Sequence, residues 1–172
     1  MKIDITQLLN NTKQIIRLEE YAKSNNIDLD FLLYHYSHFI ANVYLKMIKT
    51  SIEKQKIGNT PMKNIYKPLS AQYRKRKNPK HRKDFWINTG KLESLFRVWK
   101  YRHWFVGIPN YIKYDNKKKV KASQIVFYLE YGTKRVPARP LFTTNLKLLI
   151  KKLPKLTETF IPLFETKILK KK

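Results

Sequence analysis

The chain has 172 residues, no cysteine, and 37 Lys+Arg against 12 Asp+Glu, for a formal charge of +25 at pH 7. The lack of cysteine excludes disulfides, thiol catalysis and cysteine-based zinc sites; four glycines, with no GxxxxGK[ST] or GxGxxG among them, leave no phosphate-cradling loop. Length and a hydrophobic share of 42% predict one α+β domain over residues 1–172, with a charge that calls for an anionic partner: nucleic acid, an acidic protein surface or an anionic membrane.

The chain opens Met1-Lys2-Ile3-Asp4-Ile5, without an apolar stretch of signal-peptide length, and no run of about 18 apolar residues follows. No membrane span is therefore expected, and the missing cysteines fit a reducing compartment. The many Lys, Asn and Ile residues also fit an AT-rich genome, which accounts for part of the charge.

Residues 1–58 read as helices. Leu8, Leu9, Ile15, Ile16, Leu18 and Tyr21 space an amphipathic helix over residues 6–24 that breaks at Asn25-Asn26. Asp28 or Asp30 caps a longer helix over residues 29–56, stopped by Gly58. Residues 59–88 read as a loop: Pro61, Pro68 and Pro79 interrupt them, and Arg74, Lys75, Arg76, Lys77, Lys80, Arg82 and Lys83 fall close together with no acid between them. Residues 89–142 hold a hairpin and a turn. Thr89 precedes a helical turn; Phe96, Val98, Trp104 and Val106 alternate about Lys100-Tyr101-Arg102 as a β-hairpin with one face in the core. A second basic stretch with Lys117, Lys118 and Lys119 reads as an extended loop. Residues 122–131 fit helix or strand, Ser123 favouring helix as a cap. Residues 136–141 read as a short edge strand because of Pro137 and Pro140. Residues 143–172 read as a helical tail broken at Pro154 and Pro162.

Catalytic candidates are sparse. His35 and His38, three apart on a helix, lack the nearby carboxylates that would complete a metal site. His81 and His103 have the imidazole chemistry of a general base but no nucleophile or orienting partner that the sequence identifies. The acids are few and scattered, which disfavours a Mg²⁺-dependent nuclease. The expectation is a non-enzyme with no cofactor and no metal. The basic runs at 74–83 and 113–121 suit anion contact through Arg74, Lys75, Arg76, Lys77, Lys80, Arg82, Lys83, Lys117, Lys118 and Lys119, with Tyr73, Phe85 and Trp86 placed to stack on bases.

The sharpest pattern is Leu129-Glu130-Tyr131-Gly132-Thr133-Lys134-Arg135-Val136-Pro137-Ala138-Arg139-Pro140-Leu141-Phe142. Gly132 permits positive φ at a chain reversal, and the two prolines stiffen the segment around Arg139. Arg139 is then placed for a salt bridge to Glu130 or to a neighbouring subunit. This segment resembles the tail-proximal motif of the phage neck and minor-tail family, also described as virion-morphogenesis or tail-completion proteins. Upstream, Leu69-Ser70, Tyr73 and Lys77, then Thr89-Gly90-Lys91-Leu92 and Ser94, and finally Phe105-Val106-Gly107, are similar to family features in the same order. The long Lys-rich stretch before Glu130 and the N-terminal helices depart from the pattern.

The resemblance implies a small antiparallel sheet packed by helices, and a structural virion protein that forms a homo-oligomeric ring at the head–tail junction. Its partners would be portal or adaptor and tail-tube or terminator proteins, with genomic DNA in the channel. It implies subunit or partner contacts at Glu130, Gly132, Thr133, Arg135, Pro137, Arg139 and Pro140, and assembly in a host cytoplasm. The rival reading is a basic nucleic-acid-binding protein that packages genomes or associates with ribosomes.

Overall fold

A computed structural model describes residues 2–10, 12–77, 79–81, 84–86, 91–115, 120–134 and 136–169. The fold is α+β, a small antiparallel sheet packed with long helices. Strand β1 (Lys2–Asp4) and helix α1 (Ile5–Asn10) open the chain, followed by α2 (Gln14–Ser24) and the 26-residue α3 (Leu29–Lys54). The single N-terminal helix expected over 6–24 is thus a strand and two helices. Asp28 does cap α3, its carboxylate accepting from the Phe31 N–H at 2.6 Å. Gln55, at φ 51°, ends that helix; Gly58 instead turns the hairpin of β2 (Lys56–Ile57) and β3 (Thr60–Pro61) at φ +59°.

The expected central hairpin is present as β4 (Arg97–Tyr101) and β5 (His103–Gly107), paired in register from Arg97–Gly107 to Tyr101–His103 and turned at Arg102, φ 55°. β1 adds to the free edge of β5 with Ile3 opposite Val106, giving the sheet order β1-β5-β4. Val106 is fully buried.

Three expectations fail further along. The second basic stretch holds a short hairpin, β6 (Lys113–Asp115) with β7 (Val120–Lys121). Residues 136–141 form no strand: the prolines remove donors, and Arg139 N–H bonds Leu129 O of the preceding helix rather than a strand partner. Pro154 and Pro162 do not break the C-terminal helix, α8 (Phe142–Lys167). Both lie on its exposed face, as do Ile150 and Glu158, whose carbonyls the prolines leave without a donor and which water can reach. The opposite face buries Leu149, Leu153, Thr157, Phe160 and Phe164, and that packing outweighs two missing bonds.

The core lies between α3 and α8. Leu32, Tyr36, Ile40, Tyr44, Ile48 and Ile52 recur at helical spacing, all fully buried. Each buried tyrosine keeps a polar partner: the Tyr36 hydroxyl lies 2.7 Å from Thr157 Oγ1, and Tyr44 donates to Phe142 O at 2.8 Å. Position 36 meets 157 while 44 meets 142, so the two helices run in opposite directions. Among the described residues no helix is long and apolar enough to cross a membrane.

Candidate functional site

Helix α7 (Ala122–Tyr131) resolves the ambiguous segment as helical. Ser123 is buried within it rather than capping it; Gln124 accepts from the Lys121 N–H at its start. The segment that follows is a joint. Gly132 caps α7 at φ +79°, Thr133 N–H donates to Val136 O at 2.8 Å, and Thr133 Oγ1 accepts from Val136 N–H at 3.0 Å. Arg139 N–H then ties the chain back to Leu129 O at 2.7 Å.

Glu130 is 1% exposed. Its Oε2 accepts from the Leu141 and Phe142 N–H groups at 2.8 and 3.0 Å; its Oε1 accepts from Thr143 N–H at 2.7 Å and from the Thr143 hydroxyl at 2.6 Å. These are orphan donors at the start of a 26-residue helix, where backbone dipoles favour an anion. The expected Glu130–Arg139 ion pair is therefore absent, because both carboxylate oxygens are committed to the α8 N-terminus.

Arg139 is 5% exposed, with its guanidinium carbon 5.7 Å from the Phe85 ring centre. Its Nε has no hydrogen-bond acceptor, and no carboxylate among the described residues pairs with it. Burial lowers its pKa below the ordinary arginine value, opposed by Tyr73 and Tyr66. A buried donor on a charged group left without an acceptor costs about 1–3 kcal/mol. Arg139 lines a cavity of about 320 Å³ walled by Pro68, Ile125, Tyr128, Leu129, Val136 and Pro137, with Ser70 and Tyr73 alongside.

The basic block is only partly what the sequence suggests. Residues 71–76 form helix α5 (Ala71–Arg76) rather than loop, with Ser70 Oγ accepting from the Tyr73 N–H. Arg74, Lys75, Arg76 and Lys80 are exposed. Lys77 is 5% exposed and its ammonium donates to the Asp84 carbonyl, so it is not available as a surface anion contact. Burial is the largest influence on Lys77 and lowers its pKa. Phe85 and Trp86 are buried too, so neither is free to stack on a base; the Trp86 indole N–H donates to Arg139 O at 3.2 Å. Tyr73 is 45% exposed. The expected contacts Arg82, Lys83, Lys117, Lys118, Lys119 and Arg135 lie outside the described residues, as do Thr89 and Gly90.

Among the described residues no three His, Asp or Glu side chains cluster as a metal site. His38 stacks on Trp104 with ring centres 4.3 Å apart, and His35 packs edge-on to Phe31 at 4.6 Å. His103 Nδ1 lies 2.7 Å from Asp4 Oδ2, joining two strands. Burial lowers the pKa of His35, with His38 adding to the effect, and burial lowers that of His38. A depressed folded-state pKa means that the unfolded chain binds the proton more readily. Their contribution is complete above the ordinary value of 6.5 and is lost as pH falls through the lower folded values. Acidification from about pH 7 to about pH 5 should lower the melting temperature, and His35→Gln with His38→Gln should flatten that slope by on the order of 2 °C. Parallel pH profiles for parent and variant in scanning fluorimetry would contradict the assignment.

Sequence reasoning missed the capping role of Glu130, although an acid twelve residues ahead of an apolar-periodic helix was visible. It also missed Lys77 as a buried lysine, for which the sequence carries no local signal. No protein-family model, curated protein or solved structure matches this chain.

Proposed function

We propose that this chain is a structural virion protein of a tailed phage, a neck or tail-completion subunit that forms a homo-oligomeric ring between the capsid connector and the tail. The reading is supported above all by the build of residues 129–143. Glu130, Gly132, Thr133 and Arg139, which carry the family resemblance, all have work in shaping the joint between α7 and α8. Such a joint fixes the direction of a long helix, which an assembling ring subunit requires.

Exposed groups beside the joint supply contact surface. Phe127, Tyr128 and Tyr131 on α7 are each about half exposed, at 50%, 49% and 57%. Exposed aromatics of this kind are enriched where subunits meet. A closed cyclic interface buries the same patch in every copy without leading to filaments. The exposed Arg74, Lys75 and Arg76 then face an acidic neighbour in the connector or tail, or the DNA that passes through the channel.

Cryo-electron microscopy of the intact particle tests the proposal. The expected result is a ring of this chain at the head–tail junction; a particle in which the chain is missing there overturns it. Changing Arg74, Lys75 and Arg76 together to Gln, with Lys77 retained, should leave the melting temperature within roughly 2 °C, because exposed charges contribute little to folding. The same variant should enter particles several-fold less well. Unchanged incorporation would mean that the charge of this helix serves no contact.

A further inference from the structure

The cavity beside the joint combines two features that rarely coexist without a ligand. Its walls are apolar, from Pro68, Ile125, Tyr128, Leu129, Val136 and Pro137. The one charged side chain lining it, Arg139, is 95% buried, with an Nε that no acceptor in the chain satisfies. Nearby acceptors are committed elsewhere: Glu130 to the start of α8, and Ser70 Oγ to the Tyr73 N–H. A guanidinium presents Nε and an adjacent Nη as a fork that matches the two oxygens of a carboxylate. The volume, about 320 Å³, falls at the small end of known ligand sites, about 300–1,000 Å³.

We infer that this cavity is a binding site for a monocarboxylate carried on a compact apolar or aromatic body, with the carboxylate on Arg139 and the body between Tyr128, Val136 and Pro137. A phosphate dianion fits less well, because one guanidinium is the only charged group in the lining. The inference stands on the cavity alone and does not depend on the ring proposal.

Nuclear magnetic resonance titration of the full chain tests it, following backbone amides and the Arg139 Nε–H signal. The probes are 3-phenylpropionate, its neutral analogue 3-phenylpropanamide, and inorganic sulfate. The acid should saturate with a Kd on the order of 1 mM, moving Arg139 Nε–H and the amides of Tyr128, Leu129 and Val136. It should bind at least about tenfold more tightly than the amide, the loss expected without the charge-assisted pair. Sulfate should not compete.

Equal affinity for acid and amide overturns the inference, as does competition by sulfate, shifts spread over the exposed lysines, or no saturable shift at all. Val136→Phe, which narrows the cavity without touching Arg139, should abolish binding while the Nε–H signal persists; retained binding overturns the assignment of the site. Arg139→Gln should lower affinity for the acid at least about tenfold and leave the amide unchanged. Should that variant fail to fold, Val136→Phe decides alone.

Discussion

Replacing Glu130 with Ala should destabilise the protein by roughly 3–5 kcal/mol, a large share of the 5–15 kcal/mol that holds a typical domain together. The carboxylate receives four hydrogen bonds, from three consecutive backbone N–H groups and one hydroxyl. Leu141 and Phe142 are fully buried, so their N–H groups find no water when the acceptor goes. Each such donor costs about 1–3 kcal/mol, and the favourable pairing of an anion with the helix start is lost as well. Thr143→Ala removes only the hydroxyl donor and should cost about 0.5–1.5 kcal/mol. Glu130→Gln keeps one acceptor oxygen but turns an NH₂ toward N–H donors, so it should fall between the two. Urea denaturation followed by circular dichroism ranks the three variants. A Glu130→Ala protein within about 1 kcal/mol of the parent would refute the capping role.

The ranking matters for assembly because the cap fixes where α8 begins. α8 packs along α3 through Phe142, Leu149, Leu153, Phe160 and Phe164. A frayed first turn would release Phe142, which contacts Phe96 and Trp86 at ring-centre distances of 5.4 and 6.1 Å. The defect would therefore spread to the β4 side of the core.

Long periodic elements were legible in the sequence, and short non-local ones were not. α3 announces itself through apolar residues repeated over seven turns, and the β4–β5 hairpin through alternation on either side of a polar turn. β1 has three residues and exists only because β5 offers it a free edge a hundred positions away; no local pattern encodes that. The prolines of α8 misled for a related reason. Proline removes a hydrogen bond wherever it stands, but the consequence depends on which face of the helix it occupies, and that face is set by packing.

The candidate site divides along the same line. The positive φ of Gly132 was legible because glycine next to a turn has a steric reason that needs no tertiary information. The partner of Glu130 was not. Opposite charges nine positions apart suggested an ion pair with Arg139, whereas the fold places Glu130 under a helix start that offers three N–H donors at once. Lys77 sits in a run of exposed cations and differs from them only because its chain reaches the Asp84 carbonyl. Charge counting treats all of them alike.

Substituting Gly132 should be nearly as damaging as removing Glu130, and for a different cause. At φ +79° and ψ 179° its backbone occupies a region that residues with a Cβ essentially avoid. A Cβ there would stand 2.7 Å from Ala138 N and 2.9 Å from Val136 O. Both neighbours are backbone atoms, which cannot rotate aside as a side chain would. Gly132→Ala should cost about 2–4 kcal/mol, and Gly132→Val more, because branching at Cβ worsens the clash. Gly58 supplies the control. It too has positive φ, +59°, but its Cβ would meet only Leu148 Cδ1 at 3.3 Å, and the left-handed region costs an alanine about 1–2 kcal/mol. The two variants should also differ in what moves. To admit a side chain at 132, residues 133–138 must shift, breaking the Thr133–Val136 turn and the Arg139–Leu129 bond and displacing Arg139 from its cavity. Gly132→Ala should therefore alter the Arg139 Nε–H resonance even in protein that remains folded, and Gly58→Ala should leave it in place. If the two alanine variants have the same stability and the same Arg139 signal, the joint is not the rigid element described above.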